Sequence, residues 1–291
     1  MGTVIITVRM NEGAMRAVNP HVPWSPEEIA ADAARCVDAG AAIVHFHGRD
    51  PLTGEADRTA GTLATTVALV AESCGAVTYC NLGAGAGLDL PERLAPLQGP
   101  GPRPELAPVD LGSFNLDPFD VASASFATED GLYVNTVAVV RGMVEGIQAA
   151  GVIPVGVAWS IGSLRLLGAL VAQGAWPTPL VGELVVSDFL LSTNPASPAG
   201  LDALRQFVPE TEGNWSLMHG GGSVLALIDQ AMGASLGISI GLGDHPDHGL
   251  GQPTNARLVA EVAARAEAMG HRTAGPEEAR QVLGLTAAAS R

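Results

Sequence analysis

His45 and His47 stand two residues apart in the stretch AAIVHFHGRDPLTG, where a short apolar run meets Gly48, Arg49, Asp50 and Pro51. An apolar run of this length, broken by turn residues, reads as a buried strand entering a loop. Residues two apart on a strand share a face, so both imidazoles point one way and Phe46 the other. Two imidazoles at a strand end make part of a catalytic zinc site, which takes three protein ligands and leaves a fourth position open. The bland alternative is a pair of hydrogen-bonded core histidines; the Arg and Asp that follow at once favour the metal. The third ligand is then Glu12, Asp244 or His245.

Composition narrows the chemistry further. The chain has 291 residues, 47% of them hydrophobic, and a net charge of −15. That charge is spread along the chain and argues against binding nucleic acid or an anionic membrane. No apolar run approaches the ~18 residues of a membrane span, and the first residues lack a basic region with an apolar signal core. A cytoplasmic protein is the expectation, with Cys36, Cys74 and Cys80 as free thiols. All 15 basic residues are Arg and none is Lys. Schiff-base aldolase chemistry, pyridoxal-phosphate anchoring and a Walker A loop are therefore excluded. Carbon–carbon bond chemistry here needs a metal as polariser.

The elements that must position the histidines alternate. β-Branched residues at 3–8 make a first strand that ends in Arg9, Met10, Asn11, Glu12 and Gly13. Ser25-Pro26-Glu27-Glu28 is a capping box with Pro at the first helical position, and Gly40 ends that helix. After the His45/His47 strand come strands at 76–81, 109–114, 153–159, 180–187, 214–218 and 236–242, with helical patterns between them. Eight strands alternating with helices predict a (β/α)8 TIM barrel occupying 1–291 as a single domain, with extra C-terminal helices at 255–269 and 276–283.

Barrel active sites lie at the C-terminal strand ends. The expected pocket residues are Asn11, Glu12, His45, His47, Arg49, Asp50, Asn81, Gly112, Ser113, Asn115, Trp159, Ser160, Ser187, Asp188, His219, Gly220, Gly221, Gly222, Asp244 and His245. The Gly83-Ala84-Gly85-Ala86-Gly87 loop is read as one that lets a ligand approach closely. His219-Gly220-Gly221-Gly222-Ser223 follows strand seven, where barrels often bind phosphate at a helix N-terminus. The same HGGG string occurs in lipase oxyanion loops, but a serine hydrolase is set aside here.

Two longer stretches carry a family resemblance. NPHVPWSPEEIAADAARCVDAGAAIVHFHGRDPLTGE, from Asn19 to Glu55, closely resembles the N-terminal signature of the β-keto acid cleavage enzymes, a family founded on 3-keto-5-aminohexanoate cleavage. The segment from Gly241 to Leu285 is similar to the family's closing segment, and Gly112-Ser113-Phe114-Asn115 to its strand-four motif. The resemblance implies a zinc-dependent homo-oligomeric barrel, a dimer or tetramer. Its substrates would be a β-keto acid and acetyl-CoA, its products acetoacetate and a new acyl-CoA. It places His45 and His47 at the zinc histidines and Asp244 at an acidic catalytic residue. Asn81 falls where the family often has Ser or Thr.

The chain also departs from the family. The zinc-ligating glutamate falls on Gly243, and the strand-eight arginine that holds the substrate carboxylate falls near Ser239. Glu12 is the expected replacement ligand, with Asp244 second, and Arg49 the replacement carboxylate clamp. Asn11, Ser113, Asn115, Gly220, Gly221 and Gly222 are left to hold substrate or CoA. Two other readings stay open: a metal-dependent barrel hydrolase of amides or esters, and a non-catalytic member that binds a metabolite. Against the hydrolase, barrel amidohydrolases usually carry HxH on the first strand and further histidines on strands five and six, which this chain lacks.

Overall fold

The computed structural model describes residues 2–83, 87–120 and 122–285. Parallel strands β1 (Ile6–Arg9), β2 (Ile43–Phe46), β3 (Val77–Cys80), β4 (Leu106–Asp110), β5 (Ile153–Ala158), β6 (Leu180–Val186), β7 (Gly213–His219) and β8 (Gly237–Ile240) close into a barrel in sequence order. β8 pairs with β1, with Ser239 beside Thr7, and this contact shuts the ring. The alternation read from the sequence is thus a TIM barrel. Among the described residues, no helix is long and apolar enough to cross a membrane.

The outer face follows from strand periodicity and helix caps. Val8, Val44 and Phe46 are fully buried in the main core, which also takes in Ile29, Ala33 and Cys36 from α1 (Pro26–Asp38). The Ser25 hydroxyl accepts from the Glu28 amide and the Glu28 carboxylate accepts from the Ser25 amide, the capping box expected from the sequence. α2 (Ala60–Cys74) starts at a Thr59 cap and stops at Gly75, which has φ 62°. The remaining helices are α3 (Leu90–Leu94), α4 (Val137–Ala149), α5 (Ile161–Ala172), α6 (Pro198–Arg205), α7 (Ile228–Gly233), α8 (Asn255–Ala268) and α9 (Pro276–Val282).

Two strands differ from their expected bounds. The fourth barrel strand runs over Leu106–Asp110, earlier than 109–114, despite Pro108 within it. Gly112, at φ 89°, turns the chain out of the barrel. Phe114–Asn115 then pairs antiparallel with Leu132–Tyr133 in a small sheet of its own. At the N-terminus, Thr3–Val4 pairs with Arg272–Thr273, and the barrel strand begins only at Ile6.

The interior has two ends of opposite character. Ile43, Tyr79, Leu106, Val155 and Val181 form a buried apolar cluster with Ala279, Leu283 and Leu285. The last helix therefore plugs the barrel where most of these strands begin. Toward their C-terminal ends the inward positions become polar: Arg9, His45 and Tyr79 stand side by side on adjacent strands. Leu283 is 5% exposed, so Leu283→Ala should open a cavity and cost about 2–4 kcal/mol. Equilibrium urea denaturation checks this, and a loss under about 1 kcal/mol would show that the plug is not tightly packed.

Candidate active site

Arg9 is the last residue of β1 and is 6% exposed. Its guanidinium faces three carboxylates. It donates to Glu12, its Nη1 lies 3.2 Å from Glu183 Oε2, and its Nε lies 2.9 Å from Asp244 Oδ1. Tyr79 completes the cluster by donating its hydroxyl to Glu183 Oε2 at 3.0 Å. Burial alone would lower the Arg9 pKa, but Glu12, Glu183 and Asp244 outweigh it and hold the charge firmly. The contact to Asp244 is an ion pair without hydrogen-bond alignment, and both Asp244 oxygens lack a hydrogen-bond partner among the described residues. Burial pushes the Asp244 carboxyl well up; Arg9 opposes that, while Glu12 and Glu183 add to it.

Beside this cluster stand the metal-ligand candidates. Glu12, His45 and His47 bring one donor atom each to within 4.8 Å of one another. His45 is 1% exposed and, among the described residues, neither of its ring nitrogens has a hydrogen-bond partner. A buried imidazole with both nitrogens unpaired is costly unless something absent from the protein chain, such as a metal, completes it. Burial, then Arg9 and His47, hold the His45 pKa well below its ordinary value. Burial, Arg9, Arg49 and Arg58 push His47 down to about 3. Both rings are therefore neutral, the form that binds a cation.

The backbone explains how Glu12 comes to face the histidines. Glu12 has φ 29°, in the left-handed region that non-glycine residues rarely enter. Arg49 holds this turn: its guanidinium donates to the Glu12 carbonyl, to the Ala14 carbonyl at 3.0 Å and to the Gly54 carbonyl. A Cβ at Gly243 would lie 2.6 Å from Glu12 Cγ. A side chain at 243 and the Glu12 side chain thus compete for one space, and here Glu12 has it. Asn11 is fully buried, accepting from the His47 amide at 2.9 Å and donating to the His47 carbonyl at 3.0 Å.

Arg9, Glu12, His45, His47, Tyr79, Asn81 and Glu183 line a cavity of about 200 Å³ whose other wall is Asp110, Phe114, Tyr133 and Trp159. Asp110, at the end of β4, accepts from Trp159 Nε1 at 2.7 Å and from the Tyr133 hydroxyl at 2.8 Å. Burial pushes its carboxyl up, against those two donors and Arg93. Arg93 backs Tyr133, donating to its hydroxyl at 2.8 Å with the guanidinium 5.5 Å from the ring centroid. A second cavity, of about 80 Å³, lies at the plugged end between Thr7, Trp215 and Leu283, away from the histidines.

The other expected residues are placed as follows. Asn81 lines the cavity, its Oδ1 accepting from the Gly83 amide at 2.6 Å. Arg49 is spent on loop carbonyls and does not line the cavity; its contacts make it a positioning residue for Glu12 rather than a free clamp. The Ser113 hydroxyl accepts from the Asn135 amide at 2.8 Å, and Asn115 lines a separate surface groove with Phe126 and Leu191. Gly220 packs by Trp159, Gly221 turns at φ 79° beside Phe189, and Gly222 lies under the His219 ring. His245 pairs with Asp247 at 3.3 Å and is not among the three clustered donors. Residues 84–86 of the glycine-rich loop lie outside the described residues. Gly233 to Gly237 spells G-x-S-x-G, but Ser235 follows α7 and precedes β8. That is the reverse of the strand-to-helix order a nucleophile elbow requires.

Sequence reasoning left Arg9, Tyr79, Asp110, Tyr133 and Glu183 out of the pocket. Arg9 and Glu183 carried a readable signal, each a lone charge in an otherwise apolar or β-branched strand, ITVR and LVGELVV. Asp110 fell inside a strand set too late. Tyr133 reaches the cavity through an excursion between β4 and α4 that has no periodic pattern.

Known proteins agree with this architecture. The family model for the beta-keto acid cleavage enzyme matches residues 3–285. A 3-dehydrocarnitine:acetyl-CoA trimethylamine transferase of Rhizobium meliloti is 30% identical over 288 residues, covering 91% of each chain. A 3-keto-5-aminohexanoate cleavage enzyme of Acetoanaerobium sticklandii is 25% identical, covering 92% of this chain and 93% of that one. Among solved structures, a ternary complex of ObcA with C4-CoA adduct and oxalate shares the fold, with TM-score 0.68 and 18% identity over 91% of this chain and 68% of that one. With the family model spanning nearly the whole sequence and a paired histidine motif set in a barrel mouth, the chain belongs to the β-keto acid cleavage enzyme family.

Proposed function

We propose that this protein is a zinc-dependent acyl-exchange enzyme that converts a β-keto acid and acetyl-CoA into acetoacetate and a new acyl-CoA. The observation that carries the reading is the convergence of Glu12, His45 and His47 in one cavity, with both His45 nitrogens unpaired among the described residues. Two imidazoles and a carboxylate are a donor set suited to catalytic zinc, which takes three protein ligands. The names of the relatives, each a keto-acid cleavage enzyme or an acetyl-CoA transferase, support the reaction class.

In this exchange the bond between the α-carbon and the ketone carbon breaks. The carboxymethyl fragment keeps the electron pair and joins the acetyl carbonyl carbon, while the thiolate of CoA joins the released acyl carbon. No oxidant and no net proton is needed. Zinc at Glu12, His45 and His47 would supply polarisation of the ketone oxygen. Asp244, with unpaired oxygens and a raised pKa, is suited to take and return a proton transiently. Arg9 keeps the three neighbouring carboxylates in place and limits their mutual repulsion. Asn11 and Arg49 hold the two loops that present the ligands. The Gly220–Gly222 turn, bare of side chains, is our choice for the approach of the CoA thioester.

Metal analysis of protein purified without chelator should find about one zinc per chain. His45→Ala and Glu12→Gln should each lose most of it, and zinc retained by Glu12→Gln would remove Glu12 from the ligand set. Asp244→Asn should keep its zinc but form acetoacetate at least about 100-fold more slowly. Turnover within about threefold of the parent would take the proton-transfer role away from Asp244.

A further inference from the structure

We propose that Ser223, activated by His248, is a nucleophile that takes an acyl group from a thioester and passes it to water, a second activity at the mouth of the barrel. Naming an acyl-CoA as the thioester rests on the acyl-exchange reading; the pairing of the two side chains does not.

Two loops build the pair. Ser223 follows the His219-Gly220-Gly221-Gly222 turn at the end of β7, and His248 lies in the loop after β8. His248 Nε2 lies 2.8 Å from the Gly241 carbonyl oxygen, which can only accept, so Nε2 carries the ring proton. Burial holds the His248 pKa below its ordinary value, against the pull of that carbonyl, and the ring is neutral. Its Nδ1 is then an acceptor, and the Ser223 hydroxyl donates to it at 3.1 Å. A hydroxyl donating to an oriented, neutral imidazole is the relation a nucleophilic serine needs. Here a main-chain carbonyl does the orienting that a carboxylate does in the serine proteases.

The surroundings fix both members. His248 is 5% exposed and has φ 48°, in the left-handed region that non-glycine residues rarely enter. Strain of this kind persists where the neighbouring structure holds it, here through two ring hydrogen bonds. His219 Nδ1 lies 3.0 Å from the Ser223 carbonyl oxygen and donates to it, which anchors the serine backbone. The hydroxyl's other contact is a long one, 3.4 Å from the Leu225 amide.

The turn also suits an incoming acyl group. Ser223 is half-buried, and the three glycines before it carry no side chain to block close approach. Strand β7, the turn and the helical segment Val224–Leu227 follow one another in the order that a nucleophile elbow uses and that Ser235 lacks. The amides of Gly221 and Ser223 have no acceptor among the described residues, so they are free to meet a carbonyl oxygen as it gains charge.

In the first step Ser223 Oγ bonds to the acyl carbon as its proton passes to His248 Nδ1. The C–S bond breaks, and the thiolate takes that proton and leaves as a thiol. Water then attacks the acyl-serine, giving a proton to Nδ1 and its oxygen to the acyl carbon. The proton returns to Ser223 Oγ as the acid leaves. The sum is thioester plus water to carboxylic acid plus thiol, with no redox change.

The test gives the protein acetyl-CoA without a β-keto acid and measures the free thiol released. In parallel the protein is treated with a fluorophosphonate, which phosphonylates activated serines. Acetyl-CoA should be hydrolysed, and mass spectrometry should find the label on Ser223. Ser223→Ala should lose the label and slow hydrolysis at least about 100-fold. His248→Asn, whose side chain tolerates the left-handed backbone, should slow both reactions as much. Labelling needs no variant, so it decides the matter if neither variant folds. No label on Ser223, no hydrolysis, or hydrolysis by Ser223→Ala within about threefold of the parent would overturn the proposal. A β-keto acid is then added and acetoacetate measured. Label and hydrolysis without acetoacetate would leave Ser223 standing and count against acyl exchange, and acetoacetate without the label would do the reverse.

Discussion

The buried charge of Arg9 is the constraint on which the active-site end of the barrel depends. Three carboxylates from three different places in the chain, Glu12, Glu183 and Asp244, converge on one guanidinium that solvent barely reaches. Each carboxylate left alone in that setting would have to protonate or pull in water. Arg9 makes their proximity tolerable and sets their spacing. It also adds to the field that keeps His45 and His47 neutral, so one residue acts on both the carboxylates and the histidines.

The same region shows how a family scaffold accommodates altered residues. The position at which the family resemblance expects a ligating glutamate is Gly243, and the vacant volume there is occupied by Glu12 from the neighbouring strand end. Nearby, the expected strand-eight arginine falls near Ser239, which is fully buried and whose hydroxyl has no partner among the described residues. The arginine that faces the cavity comes instead from β1. The strained φ of Glu12 is the local cost, and Arg49 offsets it by holding the Glu12 carbonyl.

The opposite wall is built on a different principle. Asp110 organises two aromatic donors, so the cavity runs from a polar end at the histidines to an aromatic end at Trp159 and Tyr133. Tyr133 arrives from the small sheet that follows Gly112, so the excursion after β4 shapes this end of the cavity.

The sequence by itself determined the architecture and set the two candidate ligands His45 and His47 at one strand end. Alternating β-branched runs and capped amphipathic helices specify a barrel, because each pattern can bury its apolar face in only a few ways. His45 and His47 share a face whatever the rest of the chain does, since strand geometry is local. Pro108 and Gly112 obscure the fourth strand, which runs over Leu106–Asp110 rather than 109–114, since a proline within a run is unfavourable in a central strand. What only the tertiary structure decided was which distant charges meet. Glu183 lies 174 residues from Arg9, and Asp110 reaches Trp159 and Tyr133 from separate elements. No local period encodes those meetings: they follow from closing the ring between β8 and β1 and from the packing that then fixes which inward positions face one another.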